Sequence, residues 1–256
     1  TQSGATLSAT GLTTLNTGSN SITLTNNTNN FGTVSVASAG AVNLTDANAL
    51  LLGSMSVTSL NAYAMAGNLT LQGAINASGA GDAVVLRTDA TLVNNTASIT
   101  TPNGRWLAYV KSAAGHSFVS APNFAQYNAA YGAAVLGTGN GVLYDPAVVA
   151  VLTGSLGGSI TKAYDGTTAI SLTGSTLTSP TGFPSGFTPV GTVTLSGTGT
   201  LASPEIGTGI ATTVSNATVD AMVDAGGFTV YGYKANASGT IATVTKATTT
   251  LQPLRI

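Results

Sequence analysis

The stretch from Ser21 to Val57, SITLTNNTNNFGTVSVASAGAVNLTDANALLLGSMSV, decides the fold. In it Ile22 and Leu24 alternate with Ser21, Thr23 and Thr25, and Val34 and Val36 alternate with Thr33 and Ser35. Val42 and Leu44 flank Asn43, and Met55 and Val57 flank Ser56; further on, Leu69 and Leu71 flank Thr70. An apolar side chain at every second position is the strand period, one face inward and one outward. The runs are only a few residues long, and many end near a glycine such as Gly53, Gly67, Gly73 or Gly79. Equivalent pairs recur: Ile22 to Val42 spans 20 residues, Val34 to Met55 spans 21 and Met55 to Ile75 spans 20. A repeat near 20 residues with several short strands in each predicts a right-handed parallel β-helix over residues 1–101, its coils stacked about 4.8 Å apart. Asn26, Asn27, Asn29, Asn30, Asn43, Asn48, Asn94 and Asn95 are expected at the corners, because Asn tolerates left-handed backbone and stacks in ladders. An antiparallel sandwich is the alternative arrangement for this segment.

Composition narrows the function. The chain has 256 residues with 7 Lys+Arg and 8 Asp+Glu, so 6% are charged, against roughly 25% in ordinary soluble domains. It has one His, one Trp and no Cys, which excludes disulfides and Cys-based metal sites. A formal charge of −1 and a pI near 5.5 exclude nucleic acid as an expected partner, because neutralising phosphates needs clustered Lys and Arg. No cofactor is expected. No apolar run approaches the roughly 20 residues of a membrane span; the most apolar stretch is Ala147 to Leu152. Thr1 is not followed by the basic and apolar regions of a signal peptide, so the chain reads as an interior or mature fragment. Zero Cys fits an exported bacterial protein that crosses membranes unfolded.

Residues 102–157 differ in character. They hold Trp106, His116 and the aromatics Tyr109, Phe118, Phe124, Tyr127, Tyr131 and Tyr144. The expectation is a cap and connector in which aromatics plug the open end of the solenoid. One helical turn is predicted near Ala121 to Tyr131 and a strand around Val142 to Tyr144. The competing reading makes Trp106, Tyr109, Phe124 and Tyr127 a glycan-stacking platform.

Residues 158–247 read as a second all-β domain. Strands are predicted at Ile170–Leu172, Val193–Leu195, Ile210–Val214, Phe228–Tyr233 and Ile241–Val244, separated by Gly- and Pro-rich turns. A small antiparallel sandwich of immunoglobulin-like build follows from this count. Tyr164–Asp165–Gly166 predicts a tight turn, with Asp165 bonding the backbone ahead of it and Gly166 supplying positive φ. A Ca²⁺ ligand is the sharper reading of Asp165, but Asp220, Asp224 and Glu205 do not cluster with it in the sequence. Residues 248–256 read as a linker or tail.

The runs NNFGTVSV (Asn29 to Val36) and AVNLTDANALLLG (Ala41 to Gly53) resemble the β-helix repeats of filamentous-haemagglutinin-like exoproteins, adhesins secreted by the two-partner route. TPNGRWLAYV (Thr101 to Val110) resembles the segment that ends the β-helix in many of them. KAYDGTTA (Lys162 to Ala169) is similar to the signature of the YDG domain, with Lys162, Tyr164, Asp165, Gly166 and Thr167 as its motif residues. LSGTGTLASPEIGTG (Leu195 to Gly209) resembles that domain's central motif. The resemblance implies an extracellular or cell-surface Gram-negative adhesin, exported through an outer-membrane transporter, with a surface glycan or protein as receptor. It also implies glycosylation as an option for the Asn-x-Ser/Thr sites at Asn26, Asn43, Asn68, Asn76, Asn94, Asn216 and Asn236.

Catalysis finds little support in the sequence. A Ser-His-Asp arrangement would need His116 with Ser112, Ser117 or Ser120, and no GxSxG is present. Pectate-lyase-like chemistry needs clustered carboxylates and a base, and the helix offers Asp46, Asp82, Asp89 and Arg87, with Arg87 expected to pair with a neighbouring carboxylate. GTGNG (Gly137 to Gly141) lacks the Lys and helix pattern of a phosphate loop. Threonines such as Thr13, Thr23, Thr25, Thr33 and Thr45 form no strict ice-binding ladder. The expected function is a non-enzymatic stalk segment of a secreted adhesin, a rigid spacer presenting a distal binding region. A self-associating extracellular filament or biofilm-matrix subunit is the alternative, and a carbohydrate-binding module the third reading.

Overall fold

A computed structural model describes residues 1–112, 115–118, 120–148 and 150–247. The segment 248–256, read as a tail, lies outside them. The described residues form strands and turns and contain no helix. The chain divides into two compact units, Thr1–Val149 and Ala150–Ile256.

The first unit is the expected stack of parallel strands. Ser8–Asn16, Asn30–Asp46, Leu50–Ala64, Gly81–Thr88 and Gly104–Val110 pair in that order, every pairing parallel. Shorter strands stack on further faces: Ile22–Leu24 on Asn30–Asp46, Leu69–Leu71 between Leu50–Ala64 and Leu92–Asn94, and Ile75–Ala77 between Leu50–Ala64 and Ile99–Thr100. Parallel strands cannot be joined by tight hairpins, so each rung is one turn of a coil. Hairpin pairing, and with it the sandwich alternative for this segment, is absent from these strands.

Alternation explains the core. Val34 pairs with Leu52 and Leu52 with Leu71, and all three are fully buried. Leu50, Leu69 and Leu92 form a second buried column. Two of the three predicted repeats are observed: Ile22 pairs with Val42 and Met55 with Ile75. Val34, however, faces Leu52, and it is Val36 that faces Met55. The ladder shifts register between Val34 and Val36 and again before Ala39. Such bulges insert unpaired residues and change the local repeat length without disturbing the stack.

The asparagines act differently from expectation. None of the eight nominated residues has positive φ; among the described residues the non-glycine ones that do are Thr96, Asn128, Ser179 and Asn216. Asn43 is a mid-strand residue facing Thr23 and Asn61. The corner asparagines work through side-chain bonds to backbone. Asn26 Oδ1 accepts from the Thr28 N–H at 2.9 Å, and Asn94 Oδ1 accepts from the Ala97 N–H at 2.9 Å. The amide side chain thus caps the turn locally and needs no left-handed backbone. Asn29 is fully buried; its Oδ1 accepts from the Leu7 N–H at 3.0 Å and its Nδ2 donates to Gln2 at 3.0 Å.

Gly104–Val110 continues the stack as a full rung, with Trp106 opposite Val84 and Tyr109 opposite Arg87. The predicted strand at Val142 to Tyr144 is present as Gly141–Tyr144 and pairs in parallel with that rung. The helical turn predicted near Ala121 to Tyr131 is not formed. Phe124–Gln126 is instead a strand on the other edge of Gly141–Tyr144. The reason lies in GTGNG. A Cβ on Gly137 would come within 2.2 Å of the Phe124 ring, and one on Gly141 within 2.0 Å. Two glycine backbones therefore make a slot for this buried ring, and filling it holds the segment extended.

The second unit is all-β, with a mixed sheet. Each predicted strand is found within Ala169–Ser171, Val193–Ser196, Gly207–Val219, Thr229–Tyr231 and Lys234–Thr245 or overlaps one of them. Val151–Gly158, Ile160–Ala163, Ser175–Thr181 and Thr198–Leu201 were hidden by their Gly, Ser, Thr and Pro content. Most pairings are antiparallel, but Val151–Gly158 and Ile160–Ala163 both run parallel to Lys234–Thr245. Two long strands, Gly207–Val219 and Lys234–Thr245, pair along their length. The short strands flank them and bury Leu152, Ile170, Leu172, Val193 and Ala242.

Candidate functional site

The aromatic platform read from the sequence is largely interior. Trp106 is 3% exposed and Phe124 1% exposed, and Tyr127 is buried and stacked on Tyr144 with ring centroids 4.5 Å apart. Burial holds the Tyr144 phenol protonated, pushing it up to about 12. A ring packed on all sides offers no face to a sugar, so Trp106, Phe124 and Tyr127 are corrected to core residues. Inward position on a rung is the physical reason: Trp106 occupies the same column as Val84.

Tyr109 is the exception. It points outward, and the parallel register aligns it with Arg87 and, one coil earlier, Tyr63. The Arg87 guanidinium lies 4.0 Å from the Tyr63 ring centre and 3.6 Å from that of Tyr131, which comes from the loop after Phe124–Gln126. Tyr131 meets Tyr109 edge-on at 5.2 Å, and its hydroxyl accepts from Asn61 Nδ2 at 3.0 Å. The expected pairing of Arg87 with a carboxylate is not formed. Asp82 is taken by Arg105 at 2.6 Å and Asp89 by Lys111 at 2.5 Å, both from the next coil, leaving the aromatic faces for Arg87.

These residues border a cleft of about 240 Å³, with Asp145 at its rim. Tyr63 donates its hydroxyl to Asp89 Oδ1 at 3.1 Å. Burial first, and then that bond to an anion, raise the Tyr63 pKa. Tyr109 is raised chiefly by burial, and Lys111 is raised by its bond to Asp89. The cleft is therefore lined by neutral phenols and compensated charges. Composition gave no hint of it, since Tyr63, Arg87, Asp89, Lys111 and Tyr131 are spread over three coils and a loop. The usable signal was the outward phase of Tyr63 and Arg87 in the strand period.

The motif Lys162–Thr167 forms a clasp. Asp165 Oδ1 accepts from the Thr167 N–H and from its hydroxyl, each at 2.9 Å, and lies 2.7 Å from Lys162 Nζ. Lys162 also donates to Thr167 O at 2.8 Å and Ala169 O at 2.6 Å. Gly166 has φ +75°, as the turn requires, and Tyr164 is exposed at the surface. The arrangement is a structural turn with its own cation, the Lys162 ammonium.

The bond from Lys162, followed by the Thr167 N–H, lowers Asp165 from 3.8 to about 2. A carboxylate whose folded pKa lies below its unfolded one stabilises above the unfolded value and loses that contribution as pH falls through the folded one. Asp165→Asn is therefore expected to melt below the parent at pH 6, with the gap closing between pH 3.8 and about 2. Thermal unfolding followed by circular dichroism across that range checks this, and a gap that does not change with pH contradicts it.

His116, Ser117 and Asp46 are each engaged in bonds to the backbone. His116 Nδ1 accepts from the Leu92 N–H at 3.0 Å, and its Nε2 donates to Ser112 O at 2.9 Å, so neither nitrogen faces a serine hydroxyl. Ser117 Oγ accepts from the Asn94 N–H at 2.7 Å. Asp46 is buried at a corner, accepting from the Phe31 N–H at 2.5 Å and the Asn48 N–H at 2.8 Å. GTGNG ties the Phe124 slot to the last rung: Gly137 O accepts from Arg105, and Asn140 Oδ1 accepts from the Trp106 N–H. Among the described residues no three His, Asp or Glu side chains converge as metal ligands.

Two family matches accord with this geometry. Residues 145–236 match the YDG domain, which includes the Lys162–Thr167 clasp, and residues 1–38 match repeats of unknown function (DUF5649). No curated protein and no solved structure matches the chain significantly.

Proposed function

We propose that the chain is a non-enzymatic shaft segment of a secreted bacterial adhesin of filamentous-haemagglutinin type. In this reading it is exported through an outer-membrane transporter and holds a distal receptor-binding region away from the cell. The observation that carries the reading is the parallel stack from Ser8–Asn16 to Gly104–Val110, whose rungs from Asn30–Asp46 onward share a buried core. A coil of this kind resists bending because every rung is bonded to its neighbours. The YDG domain at 145–236 supports it, since that domain is found in adhesin-like proteins.

The test replaces residues 1–149 in the parent protein either with a Gly/Ser linker of equal residue number or with an unrelated parallel solenoid of equal coil number. Surface display is monitored by antibody on intact cells. Adhesion to host cells is expected to fall with the flexible linker and to survive with the solenoid. Equal adhesion with both, or a chain that never reaches the surface, overturns the shaft reading.

A further inference from the structure

We infer that the outward cleft around Tyr63, Arg87, Tyr109 and Tyr131 is a binding subsite for a neutral pyranose sugar. This site lies on the coil itself and stands or falls separately from the shaft reading.

Concentration of rare residues is the first reason. The whole chain has 7 Lys+Arg and 8 Asp+Glu, yet two cations (Arg87, Lys111) and two anions (Asp89, Asp145) border this one cleft. Many other outward positions of the coils carry small polar residues such as Thr23, Asn43 and Ser56. Here the register stacks Tyr63, Arg87 and Tyr109 on consecutive rungs, and Tyr131, 48% exposed, closes over them.

Chemistry selects the ligand class. A cation would need the aromatic faces, but the Arg87 guanidinium already lies against the Tyr63 and Tyr131 rings. An anion would need an uncompensated ammonium, but Lys111 is paired with Asp89 at 2.5 Å. What remains open is a charge-balanced surface of phenol, carboxylate and ammonium groups set among aromatic carbon. Hydroxyl groups of a neutral sugar can both donate to and accept from such groups, while its C–H face packs on Tyr109, the ring of the three that the Arg87 guanidinium leaves uncovered. The cavity of about 240 Å³ lies below the roughly 300–1,000 Å³ of larger small-molecule sites, so a single terminal ring is the expected occupant.

Preorganisation is the third reason. Tyr63 is held by Asp89, Tyr131 by Asn61, and Arg87 by two rings, so few side chains need to be ordered on binding.

The experiment applies the purified full chain to an array of neutral hexose- and N-acetylhexosamine-terminated oligosaccharides, with sialylated and sulfated glycans as the anionic arm. Hits are titrated with the corresponding methyl glycosides by ligand-observed NMR. Neutral glycans are expected to bind, with Tyr131→Ala weakening them about tenfold through loss of the ring that closes over the cleft. Asp89→Asn, which keeps the side chain's shape, is expected to weaken binding as well, and both variants should keep the parent's melting temperature within a few degrees. Absence of any neutral-glycan signal, preference for the anionic arm, or affinity unchanged in both variants overturns the assignment.

Discussion

Phe124→Ala is expected to destabilise the first unit by about 3–5 kcal/mol, the usual cost of deleting a buried aromatic ring. The ring is 1% exposed and lies against the backbones of Gly137 and Gly141. Neither glycine carries a side chain that could move into the void, so little relaxation offsets the loss. The same geometry makes a second expectation. Gly141→Val, which would thrust side-chain atoms into the ring, should be strongly destabilising in the parent and much less so in Phe124→Ala. Chemical denaturation of the four proteins in this cycle measures the coupling. Additive effects would mean that ring and glycines do not share one slot.

Leu52→Ala is expected to cost about 2–5 kcal/mol, whereas Leu51→Ala one position away should cost less than about 1 kcal/mol. Leu50, Leu51 and Leu52 are three identical residues in a row, and composition cannot distinguish them. The strand places Leu50 and Leu52 in the bore, fully buried, and Leu51 on the outer face, partly exposed. Leu52 is packed between two neighbouring coils, with Val34 on one side and Leu71 on the other. In a solenoid a defect of this kind acts on adjacent coils first. Hydrogen exchange should therefore show lost protection nearest the substituted rung. Equal effects of the two substitutions would contradict the observed phase of this strand.

Much of this architecture was legible in the residues. The period-two alternation from Ile22 to Leu71 implied strands, and spacings near 20 residues implied coils; the Ile22–Val42 and Met55–Ile75 pairs stand in the observed register. The Lys162–Thr167 clasp was legible because it is local: Asp165 bonds a residue two positions on, and Gly166 supplies the positive φ. The misreadings were of another kind. Residues 121–131 read as a helical turn because the glycines that fit Phe124 lie 13 and 17 positions further along, as Gly137 and Gly141. Trp106, Phe124 and Tyr127 read as a platform because composition reports that a ring exists and not which way it faces.

Sequence by itself determined the strand period, the coiled parallel class, the scarcity of charge and the turn at Tyr164–Asp165–Gly166. Each of these depends on residues near one another in the chain, where backbone geometry is decided by steric and hydrogen-bonding preferences alone. Only the tertiary structure decided that Tyr63, Arg87, Tyr109 and Tyr131 share one cleft and that Arg87 lies against rings and not beside a carboxylate. Outward side chains on successive rungs meet only when the register between coils aligns them. That register is set by bulges and by the length of each intervening loop, quantities that belong to the folded stack and to no short stretch of the chain.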